Sequence, residues 1–312
     1  MSRIEDLITT DVDRAVETIR SGGLVAVPTE TVYGLAADAT DVEAVTRIFE
    51  IKGRPADHPL IVHVARPEDL DRWSDNPGDD ARTLAATSWP GPLTIIVPRA
   101  RELPDMVAGG RDTVGLRMPA HPTAIDLLAR TGLPLAAPSA NRFGGVSPTT
   151  AQHVVDDLGM LLEPGRDLIL DGGPCRIGIE STIVDCTTSP PQVLRAGAVS
   201  ADEVMTLLGT DVAAASGPAR ASGMLPSHYA PRCQIRLTDS GDDASALRAG
   251  TPHSEILDLT DDLATYAREL YASLRDADAR GVGTVIAVLP SANGLGHAIR
   301  DRLTKAAAPR PE

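Results

Sequence analysis

The chain has 312 residues and a formal net charge of −14. A chain of this length can bury a sizeable core, in one large domain or in two ordinary ones. The acidic balance argues against a general nucleic-acid coat, because non-specific affinity comes from Lys and Arg side chains that neutralise phosphates. A local basic cleft remains compatible with this balance.

The cysteines and the N-terminal stretch indicate the compartment. Cys175, Cys186 and Cys233 form no C-x-x-C pair and give an odd count, which argues against a disulfide framework or a zinc site and favours a reducing compartment. The stretch MSRIEDLITTDVDRAVETIR lacks the apolar core of a signal peptide. No apolar run approaches the roughly 18 residues of a membrane span. We therefore expect a cytoplasmic protein without a membrane segment.

Apolar runs alternate with helical periodicity along the first two thirds of the chain. Helices are predicted at 11–23, 41–53, 121–132 and 147–159. Strands are predicted at 24–28, 59–64, 91–98, 113–119, 133–141, 167–173 and 181–186, that at 133–141 running into a polar loop. Ser147 is the expected N-cap of its helix and Pro148 the first helical residue. Strands that alternate with helices predict an α/β fold with a parallel or mixed sheet.

The composition changes after Leu208. Residues 209–232 are rich in small residues and Pro and show no sustained apolar period, which indicates a linker. A small α/β unit follows, with strands predicted at 234–239 and 284–290 and helices at 261–281 and 294–307. We predict a large domain at 1–212, a linker at 213–232 and a small domain at 233–312.

Polar clusters stand where the predicted strands end. Thr29, Glu30 and Thr31 follow one strand, the sequence SAN (139–141) follows another, and His63 lies inside an apolar strand. One such cluster more often forms a turn or cap, and a histidine in an apolar strand is more often a satisfied core residue. Several clusters that converge favour a ligand site, because ligands of open α/β sheets bind outside the strand ends.

Four cations have both a structural and a functional interpretation. Lys52 and Arg54 stand at the end of a predicted helix, where they favour the macrodipole or form a phosphate site. Arg117 and Arg195 lie on apolar strands, where a buried arginine needs either an acidic side chain or a substrate carboxylate. Neither a Walker loop nor a dinucleotide fingerprint is present in a strand–helix context.

Seven motifs in order resemble the YrdC-like L-threonylcarbamoyl-AMP synthases. They are PTETVYGLAADA, KGRPADHPLIVHV, GPLTIIV, VGLRMP, APSAN, GIESTIVD and LRAGAV. The segment SGMLPSHYAPR is similar to the linker of that family's longer, two-domain form. The resemblance implies an α/β fold with a YrdC-like twisted open mixed sheet and flanking helices, followed by a small C-terminal Rossmann-like α/β domain.

The resemblance implies a nucleotidyltransferase that converts L-threonine, bicarbonate and ATP to L-threonylcarbamoyl-AMP and pyrophosphate. The Mg²⁺ ion would be held mainly by the ATP phosphates. A separate transferase would move the threonylcarbamoyl group to adenosine 37 of tRNAs that read ANN codons, to give t6A. Direct binding of tRNA by this chain would be weak or absent.

The family motifs also imply roles for particular residues. The threonine pocket would be lined by Thr31, His63, Arg117 and Ser181, with Arg117 on the amino-acid carboxylate. Lys52, Arg54 and His58 would face the triphosphate. The nucleotide would be surrounded by Thr113, Ala137, Ser139, Asn141, Ser147 and Arg195, and Tyr229 of the linker would close over it. No enzyme nucleophile is needed, since a carbamate formed on the threonine amine would attack the α-phosphorus of ATP.

Two departures from the family pattern affect these assignments. The family usually has Asn where this chain has His58, whose charge depends on pH. The linker usually has basic and aromatic residues where this chain has Leu225, Pro226 and Ser227. We therefore expect the segment to close over the nucleotide less tightly or in a different arrangement.

Two other functions stay open. A carbamoyl-AMP-forming module, as in hydrogenase maturation, works beside zinc-finger-like and acylphosphatase domains that are not recognised in this sequence. An RNA-binding or ribosome-assembly factor of YrdC type is disfavoured by the net charge of −14. A salt-dependent tRNA affinity without any release of pyrophosphate would favour the binding protein.

Overall fold

The strands of this protein form two sheets. The structure is a computed structural model that describes residues 5–216, 224 and 228–309. The first sheet has 11 strands, in the order β1-β8-β2-β3-β7-β4-β6-β5-β9-β10-β11. They are β1 Ile8–Thr9, β2 Val25–Val27, β3 Gly34–Asp38, β4 Ile61–His63, β5 Leu93–Pro98, β6 Thr113–Arg117, β7 Leu135–Ala136, β8 Leu168–Leu170, β9 Thr182–Asp185, β10 Gln192–Arg195 and β11 Ala213–Ala214.

Helices connect most of these strands. They are α1 Val12–Arg20, α2 Val42–Lys52, α3 Asp69–Arg72, α4 Asp79–Ser88, α5 Pro122–Thr131, α6 Ala151–Leu158 and α7 Ala201–Leu208, with a 3₁₀-helix at Asp105–Ala108. β4 pairs parallel with β6, whereas β3 and β4 each pair antiparallel with β7. The large sheet is therefore mixed, and the predicted fold class is confirmed.

The helices cover both faces of the large sheet. Val25 and Val27 of β2 pack in one apolar cluster with α1 and α5, whereas Ala26 packs in another with Val45 and Ile48 of α2. This alternation follows from the period of a strand, in which successive side chains point to opposite faces. Both faces of β2 are buried, so its sequence reads as a continuous apolar run.

The start of α6 differs from the prediction. The helix begins at Ala151, and its N-cap is Thr150, whose side chain accepts a hydrogen bond from the amide of His153. Ser147 was expected to cap this helix, but its hydroxyl donates to the carboxylate of Glu180 at 2.5 Å. The Ser147 side chain is directed to this buried acid, and the chain stays non-helical to Thr150.

The second sheet is small and parallel, with the order β12-β14-β13. Its strands are β12 Gln234–Thr238, β13 Ser254–Leu257 and β14 Thr284–Val288, and its helices are α8 Gly241–Ala249, α9 Leu263–Ala279 and α10 Leu295–Ala307. This arrangement agrees with the predicted small α/β unit. The predicted domain boundaries at 212 and 232 stay a prediction.

The two sheets share an apolar cluster. Val32, Val146 and Ile179 of the larger part pack in one cluster with Tyr271 of α9 and with Tyr229. Tyr229 belongs to the described end of the predicted linker, whereas Leu225, Pro226 and Ser227 lie outside the described residues. Within the described part of the chain, no helix is long and apolar enough to cross a membrane.

Candidate active site

A pocket opens over the short central strands β4 and β7. These strands have three and two residues, so the loops before and after them lie close together. The pocket brings together nine of the fourteen residues that the sequence predicted. They are Thr31, His63, Arg117, Ser181, Arg54, Ala137, Ser139, Arg195 and Tyr229.

The TET sequence forms a turn held by its own hydroxyls. Thr29 Oγ1 donates to the carbonyl of Val32 at 2.6 Å and accepts from its amide at 3.2 Å. Thr29 Oγ1 also lies 2.8 Å from Thr31 Oγ1, and either hydroxyl can donate in this contact. Short polar side chains that bond nearby backbone in this way stabilise turns. The turn fixes the Thr31 hydroxyl in the pocket wall.

Arg117 forms the ion pair that the sequence left as one of two alternatives. Its Nη2 donates to Glu30 Oε1 at 2.6 Å, its Nη1 to Thr31 Oγ1 at 2.9 Å and its Nε to the carbonyl of Gly91 at 3.2 Å. Burial disfavours the Glu30 carboxylate, but the charge of Arg117 and its hydrogen bond outweigh it, and the pKa of Glu30 is lowered. Arg117 thus has an acidic partner and also lines the pocket.

Ser181 and Arg195 form a second polar group in the wall. Arg195 donates from Nε to the carbonyl of Ser181 and from Nη2 to its hydroxyl, both at 3.0 Å. The same hydroxyl lies 2.7 Å from Thr94 Oγ1. Burial lowers the pKa of Arg195. The guanidinium is therefore held in one orientation, with a charge that burial makes costly.

Lys52 and Arg54 lie on different sides of the pocket wall. Lys52 is buried behind it and donates from Nζ to the carbonyls of Ser139 and Asn141 at 2.5 and 2.6 Å. Burial, then the charge of Arg54, lowers the pKa of Lys52 well below its usual value. Arg54 itself lines the pocket, and burial lowers its pKa to about 10, so it stays protonated at neutral pH. Lys52 therefore anchors the SAN loop, while Arg54 presents charge.

The remaining predicted residues do not line the pocket. His58 packs edge-on against Phe143, with ring centroids 5.2 Å apart. Thr113 is the first residue of β6 and Arg117 is the last, so the two lie at opposite ends of this strand. Asn141 is buried and donates from Nδ2 to two carbonyls of its own loop. Their predicted contacts with ATP, like those of Lys52 and Ser147, stay predictions.

Sequence reasoning missed several residues that form the site. Glu180 lines the pocket beside Ser181, and His228 lines it beside Tyr229. Glu180 lies in the GIEST motif and His228 in the HYAP motif. The signal available in the sequence was an acidic residue directly before the predicted ligand residue Ser181. Two residues from the small unit, Tyr271 and Arg302, also contact Glu180. Their sequence context carries no signal of this kind.

The linker residue Tyr229 closes one side of the pocket. It is 1% exposed, and its hydroxyl has no hydrogen-bond partner among the described residues. Its φ of 62° is uncommon for a bulky residue, and such backbone strain persists where the surroundings enforce it. The amide of Ala230 donates to the carbonyl of Gly144 at 3.0 Å. This segment is therefore fastened to the larger part of the chain, and the predicted closure of Tyr229 over the nucleotide stays a prediction.

The side chains of the pocket wall carry positive charges and hydroxyl groups. The pocket wall holds Arg54, Arg117 and Arg195 together with Thr31 and Ser181. Within the described residues, no group of three or more His, Cys, Asp or Glu could hold a metal ion. Groups of this kind can bind and orient anionic substrates and stabilise charge that develops on phosphate.

Family models match both parts of the chain. The Sua5/YciO/YrdC model, described as telomere recombination, matches residues 17–197. The chain belongs to the Sua5/YciO/YrdC family. A second model, described as the C-terminal domain of threonylcarbamoyl-AMP synthase, matches residues 198–308. The family predicted from the seven motifs is therefore confirmed.

Curated relatives in the family are similar over nearly the whole chain. A threonylcarbamoyl-AMP synthase of Pyrococcus abyssi is 39% identical, over 94% of this chain and 92% of the relative. One of Bacillus subtilis is 36% identical, over 98% and 96%. The solved structure of P. abyssi Sua5 complexed with L-threonine has a TM-score of 0.87 at 39% identity, over 95% and 94% of the two chains. Escherichia coli YciO, at 24% identity and a TM-score of 0.53 over 64% of this chain and 97% of its own, supports the fold alone.

Two pocket histidines make stability depend on pH. Burial lowers the pKa of His63 and of His228 to about 3, whereas an unfolded histidine titrates near 6.5. Between these values the unfolded chain binds more protons, so stability is lost as the pH falls below about 6.5. We expect wild type to lose about 2 kcal/mol more than His63→Gln when the pH of urea unfolding is lowered from 7 to 5. The same should hold for His228→Gln. A difference between wild type and variant that does not change with pH would show that His63 titrates normally.

Proposed function

We propose that this chain is a threonylcarbamoyl-AMP synthase, which converts L-threonine, bicarbonate and ATP to L-threonylcarbamoyl-AMP and pyrophosphate. The observation that carries the proposal is the convergence of Thr31, His63, Arg117 and Ser181 with Arg54 and Arg195 in one pocket. The relatives of that name, which align over nearly the whole chain, support it. They also favour it over a carbamoyl-AMP-forming module or an RNA-binding factor.

L-threonine would bind beside Arg117. Three of the five N–H groups of Arg117 are bonded to Glu30, Thr31 and Gly91, and two remain for a ligand carboxylate within the described part of the chain. The Thr31 hydroxyl lies in the same wall and would contact the polar groups of the amino acid. Val32 and Ile61 also line the pocket and offer apolar surface for the threonine methyl.

ATP would bind across the SAN loop, between Arg54 and Arg195. Both guanidiniums line the pocket, and charge-assisted hydrogen bonds from arginine to phosphate are strong. Lys52 holds the loop from behind through Ser139 and Asn141, which fixes the backbone beneath the nucleotide. Tyr229, with a free hydroxyl among the described residues, would contact the nucleotide from the linker side.

The chemistry requires positioning and charge stabilisation. The threonine amine combines with carbon dioxide from bicarbonate to form a carbamate. A carbamate oxygen attacks the α-phosphorus, the bond to the bridging oxygen breaks, and pyrophosphate leaves. The arginines hold the reacting groups together and stabilise negative charge on the phosphates, which are the main contributions of proteins to phosphoryl transfer.

The proposal extends to Mg²⁺ and to a downstream enzyme. Mg²⁺ keeps water and phosphate ligands and seldom needs an all-protein cage, so the ion would be carried mainly by the ATP phosphates. The product is a reactive acyl adenylate, which a transferase that acts on tRNA would consume, and the cytoplasm is the expected place for it. Direct tRNA binding is expected to be weak, given the net charge of −14.

Pyrophosphate release should require L-threonine and bicarbonate together. A pocket that packs the threonine methyl gains about 1–3 kcal/mol over serine, roughly tenfold or more in kcat/KM. The assay is pyrophosphate release with ATP-Mg, with or without bicarbonate, and with threonine, serine or glycine in turn. Equal rates with glycine, or rates that ignore bicarbonate, would contradict the proposal.

Arg117 should determine the affinity for threonine. Loss of a charge-assisted contact costs about 1.5–3 kcal/mol, so Arg117→Met should raise the KM for threonine about tenfold or more and that for ATP much less. Because this variant also leaves Glu30 buried without its partner, the matched control is Glu30→Gln/Arg117→Met. The double variant should recover thermal stability while its KM for threonine stays high. Recovery of both would mean that Arg117 has only a structural role.

A further inference from the structure

Glu180 is a buried carboxylate in the wall of the pocket. It is 6% exposed and lies directly before Ser181. Its Oε1 accepts from the Ser147 hydroxyl at 2.5 Å. Its Oε2 accepts from the hydroxyl of Tyr271 at 2.8 Å and from Nε of Arg302 at 2.7 Å. Two of its three hydrogen bonds therefore come from α9 and α10 of the small unit.

A carboxylate at this place opposes the proposed substrates. ATP and the threonine carboxylate are both anionic, and a buried charge is poorly screened. Arg302 is 0% exposed and compensates Glu180 directly. Burial raises the pKa of Glu180, but Arg302 and then Arg195 lower it, to about 2. Glu180 is thus ionised at neutral pH, and its charge is offset by a residue outside the larger part of the chain.

Arg302 and Tyr271 also hold the linker against the pocket. The guanidinium of Arg302 lies 5.1 Å from the ring centroid of Tyr229. Tyr271 stacks on that ring, with centroids 5.7 Å apart and an interplanar angle of 28°. Arg302 also donates from Nη2 to the carbonyl of Ala196 at 3.0 Å, one residue after Arg195. Arg302 therefore contacts the pocket wall at Glu180, at Tyr229 and beside Arg195.

We propose that Arg302 and Tyr271 are positioning residues for the reaction, which neutralise Glu180 and hold Tyr229 so that the pocket accepts anionic substrates. This role rests on the proposed function, and it gives the small C-terminal unit a part in substrate binding. Arg302 acts through Glu180 and Tyr229, and it does not line the pocket itself. Removal of Arg302 leaves a carboxylate whose charge faces the nucleotide.

Several other groups face Glu180 and affect its titration. Arg195 on β10 favours its ionised form, as Arg302 on α10 does. The Tyr271 hydroxyl on α9, and Tyr229 and His228 in the linker, also interact with its charge.

Asp301 accepts from Arg302 Nη1 at 2.5 Å and is itself paired with Lys305 at 2.6 Å. Of the groups that interact with Glu180, Arg302 forms an ion pair with its carboxylate and is fully buried beside it.

The test measures ATP affinity by calorimetry and steady-state KM in matched variants. Arg302→Met should weaken ATP binding about tenfold or more, with a smaller change in kcat. Without Arg302 the pKa of Glu180 rises, so the deficit relative to wild type should shrink as the pH is lowered from about 8 to about 6. The control is Arg300→Met, on the same helix, whose guanidinium donates to the carbonyl of Pro290. It should behave like wild type.

A second variant separates charge from folding. Glu180→Gln/Arg302→Met removes both charges and should restore ATP affinity to within about threefold of wild type. A double variant that binds ATP as poorly as Arg302→Met, at every pH, would overturn the proposal. Unchanged ATP affinity in Arg302→Met would also overturn it. Wild-type protein that binds ATP but releases no threonine-dependent pyrophosphate would overturn the proposed reaction and leave this charge test intact.

Discussion

The compensation of buried charge is the constraint on which the rest of this structure depends. Glu30, Arg117, Glu180 and Arg302 are each 6% exposed or less. An isolated charge at such depth costs several kcal/mol, and removal of one partner from a buried pair is strongly destabilising. Each of these residues has an opposite charge within 2.7 Å. The pocket can therefore hold ionised groups in fixed orientations, which a site for anionic substrates requires.

These two ion pairs also decide which elements meet at the pocket. Glu30 and Arg117 join the turn after β2 to the end of β6. Glu180 and Arg302 join the residues before β9 to α10 in the small unit. The central strands β4 and β7 are short, and these long-range pairs add contacts that hold the loops beside them. The small unit therefore supports the pocket wall through Glu180, and the linker residue Tyr229 packs against both Arg302 and Tyr271.

The sequence was sufficient to predict secondary-structure elements and to identify pocket residues that lie in recognisable motifs. The periodicity of α1 and α2 and the apolar run of β2 predicted these elements within a few residues, and the motifs brought Thr31, His63 and Ser181 to one pocket. The sequence was not sufficient to predict contacts between residues that are far apart along the chain. The contact between Arg302 and Glu180 spans 122 residues, so no local pattern indicates it. The error at Ser147 has the same origin, because its hydroxyl bonds Glu180 instead of capping α6.

One pocket, with Tyr229 of the linker on one side, should bind both threonine and ATP. A crystal structure of the chain with L-threonine and a non-hydrolysable ATP analogue tests it most directly. We expect the threonine carboxylate within about 3 Å of the Arg117 guanidinium, the phosphates between Arg54 and Arg195, and Tyr229 in contact with the nucleotide. Ligands bound elsewhere, for example in the separate cavity beside Trp73 and Arg66, would contradict it.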